Sequence, residues 1–134
     1  MSEMIENPGM DRQKLKTFIL ETYPASADRP WLQYPNYEVF RHSSNQKWFA
    51  VIMDLPKSKL GLQGEERIDA VNLKGGPILA GSLLMENGFF PAYHMRKDSW
   101  ITVALDGSVA DDKIKMLLDV SYQATAPKVR KKKG

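Results

Sequence analysis

The chain has no cysteine and only two histidines, His42 and His94. The first absence removes disulfide frameworks, thiolate metal sites and cysteine nucleophiles together. The second leaves no His-x-x-x-His pair, and the acidic residues follow no calcium-loop spacing, so no metal site and no cofactor is expected. Apolar residues nowhere run on for the roughly 18 positions that a membrane-spanning helix requires. The opening stretch MSEMIENPGM lacks a basic patch followed by an apolar run, so it does not read as a secretory signal. A cytoplasmic protein is the expectation. Internal repeats are absent, and low-complexity sequence is confined to the last few residues.

What is present is ordinary for one soluble domain: 134 residues, 43% hydrophobic and 26% charged, enough for a single core. The calculated pI of about 9.1 points toward a polyanion, yet the charge is unevenly placed. Lys128, Arg130, Lys131, Lys132 and Lys133 supply five of the 19 basic residues; without them 14 basic residues face 16 acidic ones, a net charge of −2. Residues 1–10 therefore read as an N-terminal arm, 11–126 as one domain, and 127–134 as a basic tail able to hold phosphates without reading sequence.

Periodicity supplies the elements. Leu15, Phe18, Ile19 and Tyr23 share a helical face over Asp11–Tyr23, which Pro24 ends. The next stretch, punctuated by Pro30 and Pro35, reads as extended or irregular. YEVFRH (37–42), KWFAVIMDL (47–55) and RIDAVNLK (67–74) alternate as three strands of an antiparallel meander. Gly75-Gly76-Pro77 opens a second helix that buries Ile78, Leu79, Leu83 and Leu84, with Asn87-Gly88 as its cap. PAYHM is a short strand or arm, and WITVAL (100–105) is a strand with Ile101, Val103 and Leu105 toward the core. Asp106-Gly107 turns the chain, Ser108 and Asp111 form a capping box, and Val109–Thr125 is the last helix, burying Ile114, Leu117, Leu118 and Tyr122. The predicted order is α-β-β-β-α-β-β-α, an α+β domain with its helices packed on an antiparallel sheet.

The segment AYHMRKDSWITVALDGSVADDKIKMLLDVSY, Ala92 to Tyr122, resembles the signature of the MmcQ/YjbR family of small bacterial proteins. The matching positions are Tyr93, His94, Met95, Lys97, Trp100, Thr102, Val103, the run from Leu105 through Asp106 and Gly107 to Ser108, the acidic pair Asp111-Asp112, and Ser121-Tyr122. Upstream, WFAVI and VNLKGGP are similar to the family's aromatic strand and its Leu-Lys run. The resemblance covers most of residues 12–125. It implies a fold related to the CyaY-like group with a double-wing arrangement, and a DNA-binding label that rests on shape. Arg96 stands where Asn is common in the family, and Ala110 where proline is usual.

His94 is read as fixing a turn through a backbone hydrogen bond, since a general base needs an orienting partner and a nucleophile within reach. Iron binding of the frataxin type does not carry over, because the first helix, DRQKLKTFILE, is not an acidic cluster. LKGGP is similar to a phosphate-cradling loop, but it lacks the full spacing and Pro77 deletes an N–H donor. The candidate contacts to DNA are Arg41 and Lys47 around the first hairpin turn, Lys57 and Lys59 on the second connection, Arg96 and Lys97 on the third, and the tail cations. The first expectation is a non-enzymatic protein that binds DNA weakly and salt-sensitively. The alternative is a protein-interaction or chaperone-like module with an apolar patch near Trp31, Tyr34 and Tyr37.

Overall fold

A computed structural model describes residues 9–127. The helices are α1 (Arg12–Thr22), α2 (Pro77–Leu83) and α3 (Asp111–Thr125). The strands are β1 (Ala25–Asp28), β2 (Glu38–His42), β3 (Trp48–Pro56), β4 (Arg67–Lys74), β5 (Phe89–Pro91) and β6 (Trp100–Ala104). A 3₁₀ turn, Lys57–Leu60, follows β3. The six strands form one antiparallel sheet in the order β1-β2-β3-β4-β6-β5. The α+β expectation holds, with the meander as read. Ala25–Asp28, expected only to be extended, pairs with β2 and forms an edge strand.

All three helices lie on one face of the sheet. Leu15 and Ile19 of α1, Ala80 and Leu83 of α2, and Ile114, Leu117 and Leu118 of α3 pack with Phe40, Ile52, Val71, Leu73, Ile101 and Val103. The opposite face carries a second, smaller core in which Tyr37, Met53, Leu55, Leu60, Ile68, Ala70 and Ala104 are covered by loop residues such as Trp31 and Tyr93. Both faces of the central strands are thus buried, which explains why β3 reads as a nearly continuous apolar run. No helix among the described residues is long and apolar enough to cross a membrane.

The helix ends follow local chemistry, with three departures from expectation. Asp11 caps α1 by accepting from the Lys14 amide at 2.8 Å. The capping box at α3 does not form: Ser108 turns back to Asp106, donating from its amide at 3.0 Å and from its hydroxyl at 2.6 Å, so Ala110 takes the cap position without a side-chain bond. α2 ends at Leu83, so Asn87-Gly88 is not its cap; Gly88, at φ +91, turns the chain into β5 instead. Ile78 in the first turn of α2 is 86% exposed and Leu84, just past its last residue, is exposed as well, rather than buried as expected.

Candidate functional site

A bulge in β3 sets the site. Arg41 pairs with Trp48 and Phe40 pairs with Ala50, which leaves Phe49 as the extra residue. Strict alternation from Ala50 and Ile52 would turn Trp48 toward the helices. The inserted residue reverses this: Phe49 joins Ala50 in the helix-side core, and Trp48 is delivered to the opposite face. The Phe49 carbonyl accepts from the Ser121 hydroxyl at 2.6 Å, and the Ser121 oxygen accepts from the Lys74 amide at 2.9 Å, so α3 holds the bulge from behind.

On the helix-free face lies a pocket of about 280 Å³. Its sheet side is Trp48, Val51 and Met53 of β3 with Asn72 of β4. One wall is Trp31, Tyr34 and Tyr37 from the segment between β1 and β2, and the other is Tyr93, His94 and Met95 from the segment between β5 and β6. The rings contact one another in sequence. Trp48 meets Trp31 at 5.6 Å, Trp31 meets Tyr37 at 6.1 Å and Tyr37 meets Tyr34 at 4.8 Å. Tyr34 then meets His94 at 6.2 Å, and His94 meets Tyr93 at 3.9 Å. No carboxylate is among the lining residues.

Two lining residues are buried and polar. Asn72, 1% exposed, donates to the Tyr93 carbonyl at 2.9 Å and accepts from the Thr102 hydroxyl, which leaves its second N–H without a partner among the described residues. Tyr37, 6% exposed, makes no side-chain hydrogen bond among the described residues. Burial, then the neighbouring Tyr93 and Tyr34 hydroxyls and Asp54, push its ionisation up to about 12, so it is a neutral phenol at any physiological pH.

The residues singled out in the sequence fall into distinct places. His94 is exposed at φ +63 on the pocket wall, and its ring makes aromatic contacts but no hydrogen bond among the described residues. The expected backbone hydrogen bond is therefore not made; the left-handed backbone sets this turn and the ring closes the wall. Trp100 is buried at the start of β6, and Asp106, Gly107 and Ser108 form the turn described above. Trp31, Tyr34 and Tyr37, expected as an apolar patch, and Met95 of the family-like segment line one pocket, a convergence that the sequence pattern did not announce.

The candidate cations fall at two ends of the sheet. Arg41, Lys47, Arg96 and Lys97 flank the end of the sheet where β3 begins and where Lys74 pairs with Trp100, whereas Lys57 and Lys59 follow the far end of β3. At about 3.3 Å per residue the two groups stand roughly 30 Å apart. Arg41 is fixed to Asp28 by two hydrogen bonds of 3.1 and 3.3 Å. Arg96 holds Asp98 at 3.3 and 2.9 Å, and these bonds keep the Asp98 carboxyl below its ordinary range. Lys47, Lys57, Lys59 and Lys97 have no ion pair among the described residues. Lys128, Arg130, Lys131, Lys132 and Lys133 lie outside the described residues.

A family model described as YjbR matches residues 20–124. A Bacillus subtilis protein named YyaQ is 37% identical over 116 residues, covering 87% of this chain and 98% of the relative. An Escherichia coli protein named YjbR is 44% identical over 59 residues, 43% of this chain and 50% of that protein. The crystal structure of a Pseudomonas syringae protein, 44% identical, superposes with a TM-score of 0.85 over 87% of this chain and 100% of that one. A Deinococcus radiodurans protein, 22% identical, shares the fold at a TM-score of 0.67 over 90% of this chain and 81% of its own.

Proposed function

The chain belongs to the YjbR family, and from that premise we propose that it is a non-enzymatic recognition protein receiving a small ligand in its aromatic pocket. One observation carries this reading: six rings from three separate stretches of chain converge on a single void floored by buried sheet residues. An apolar, aromatic concavity with a few buried polar groups has the make-up of a ligand site. Its volume of about 280 Å³ suits a small molecule or a single side chain. Catalysis is less well supported, because the one titratable base at the wall, His94, has neither an orienting partner nor a carboxylate beside it among the described residues. The test is a fragment screen by two-dimensional NMR. Ligand-induced shifts should cluster at the Trp31 and Trp48 indoles and the Asn72 amide. Shifts centred instead on exposed Ile78 and Met85 of the α2 region would overturn the proposal.

A second reading, weak binding of nucleic acid, draws on Lys47 and Lys97, which have no ion pair among the described residues near one end of the sheet, and on the basic tail of the sequence. It is the weaker of the two because Arg41 and Arg96 are already committed to carboxylates. Titration of a duplex at several salt concentrations tests it, and an affinity that ignores salt removes it.

A further inference from the structure

Most neighbouring rings of the lining are steeply tilted to one another, with Tyr34 on Tyr37 at 31° the exception. Trp31 lies at 80° to Trp48 and at 89° to Tyr37, and Tyr34 and Tyr93 stand at 52° and 48° to His94. A flat ring is best held between parallel plates, whereas a compact, rounded group meets ring faces on several sides. Ring faces carry the negative end of the aromatic quadrupole, so such an enclosure favours a cation.

The identity of that cation follows from what the lining lacks. No carboxylate lines the pocket, so a primary ammonium would give up its water without gaining an anion for its N–H groups. A fully methylated ammonium has no N–H to satisfy and is weakly hydrated, so aromatic faces alone can replace its solvent. One of these rings already carries a cation within the fold: the Arg41 guanidinium lies 5.5 Å from the centre of Trp48, its charge balanced by Asp28. Arg96, next in sequence to Met95 of the wall, is likewise paired with Asp98, which reduces its repulsion of a positive guest. Lys47 and Lys97, near the same end of the sheet, have no ion pair among the described residues, so the aromatic faces must outweigh them. The second N–H of Asn72 and the Tyr37 hydroxyl, neither with a partner among the described residues, add hydrogen-bonding capacity that fits an oxygen on the same ligand.

We infer that the pocket is a cation cage for a small methylated ammonium compound bearing an oxygen acceptor. This rests on the pocket reading above and narrows it to one ligand class.

Calorimetric titration of the full chain with choline, glycine betaine, tetramethylammonium, the neutral choline isostere 3,3-dimethyl-1-butanol, and indole tests it. Choline or glycine betaine should bind about tenfold or more tightly than the neutral isostere. Trp31→Leu and Trp48→Leu should abolish that preference while keeping an apolar lining. Equal affinities for choline and its isostere, or binding of indole alone, would overturn the cage and leave the pocket standing as an apolar ligand site. Failure of every probe to bind at millimolar concentration would overturn both. The isostere comparison is made on the unaltered chain, so it does not depend on either variant folding.

Discussion

Asn72 of β4 and Thr102 of β6 lie directly opposite each other in the sheet, and together they satisfy both backbone polar groups of Tyr93. The Tyr93 amide donates to Thr102 Oγ1 at 3.0 Å, and Asn72 Nδ2 donates to the Tyr93 carbonyl at 2.9 Å. Two buried polar side chains in an otherwise apolar layer thereby anchor the loop that forms one wall of the pocket. Thr102→Val keeps the shape but strands the Tyr93 N–H and the Asn72 oxygen. The expected cost is about 1–3 kcal/mol, read as a lower urea midpoint at unchanged slope. Ligand affinity should fall with it, because the wall loses its anchor. A variant that loses stability while binding as before would show that the clamp serves the core and not the pocket.

The bulge at Phe49 makes a second prediction. Ser121 is fully buried on α3 and takes up both the Phe49 carbonyl and the Lys74 amide. Ser121→Ala removes no volume of consequence but leaves two buried backbone groups unsatisfied, so about 2–3 kcal/mol of stability should be lost. Ser121→Thr retains the hydroxyl and should recover part of the loss, limited by the crowding of an added methyl. Chemical denaturation of the two variants separates the hydrogen bonds from the packing.

This bulge also marks where the sequence stops being readable. In YEVFRH, alternation puts Phe40 and His42 on one side of the strand and Val39 and Arg41 on the other, and in β2 the sheet keeps that division. The favoured inward set Ile101, Val103 and Leu105 does face the helices, but Trp100, Thr102 and Ala104 are buried too, under a layer made of loops. A strand covered on both faces has no polar side to betray a slip in register, so the extra residue at Phe49 left no trace in KWFAVIMDL. Trp31, Tyr34 and Tyr37 stood out as an apolar patch, but their meeting with Trp48, Tyr93 and His94 depends on that slip and on the Asn72–Thr102 pair. Neither follows from local pattern. The Ser108–Asp111 capping box failed for a simpler reason: Asp106, two residues before Ser108, offered a nearer acceptor.

His42 gives the fold a pH dependence of known sign. It is 1% exposed, stacked on Tyr122 at 4.0 Å, with Nε2 2.9 Å from Thr125 Oγ1. The Thr125 hydroxyl proton goes to the Ser121 carbonyl at 2.8 Å, so its oxygen serves as acceptor for a neutral imidazole N–H. Burial, the larger effect, and the nearby Lys47 charge lower the affinity of His42 for a proton. The unfolded chain therefore binds a proton at a higher pH than the folded one. Stability is fully present above the ordinary value of 6.5 and declines as pH falls from there toward the lowered folded value. His42→Phe keeps the stacked ring and should flatten this part of the profile. Asp54, held low mainly by its hydrogen bond from Arg67, acts in a separate window: its contribution is present above 3.8 and lost as pH falls through its depressed value. Urea midpoints measured between pH 4.5 and 7.5 isolate the histidine.

The nucleic-acid reading is decided by where its salt dependence resides. Each phosphate neutralised contributes about 0.9 to the slope of log affinity against log salt. Deleting residues 128–134 removes five cations, so a tail engaged with duplex should lose a slope of roughly four to five when it is cut away. The remaining body keeps Lys47 and Lys97 but offers little beside them, because Arg41 and Arg96 already face Asp28 and Asp98, and Lys57 and Lys59 lie at the opposite end of the sheet. Asp28→Asn in the shortened chain tests that statement directly. It frees the Arg41 guanidinium beside Lys47, and it should leave duplex binding near background if the folded domain is no phosphate-contacting surface. Recovery of measurable, salt-dependent affinity on this single neutralisation would show that the surface is latent and held off by its own carboxylate, and would move the functional reading from the aromatic pocket to the hairpin that carries Arg41 and Lys47.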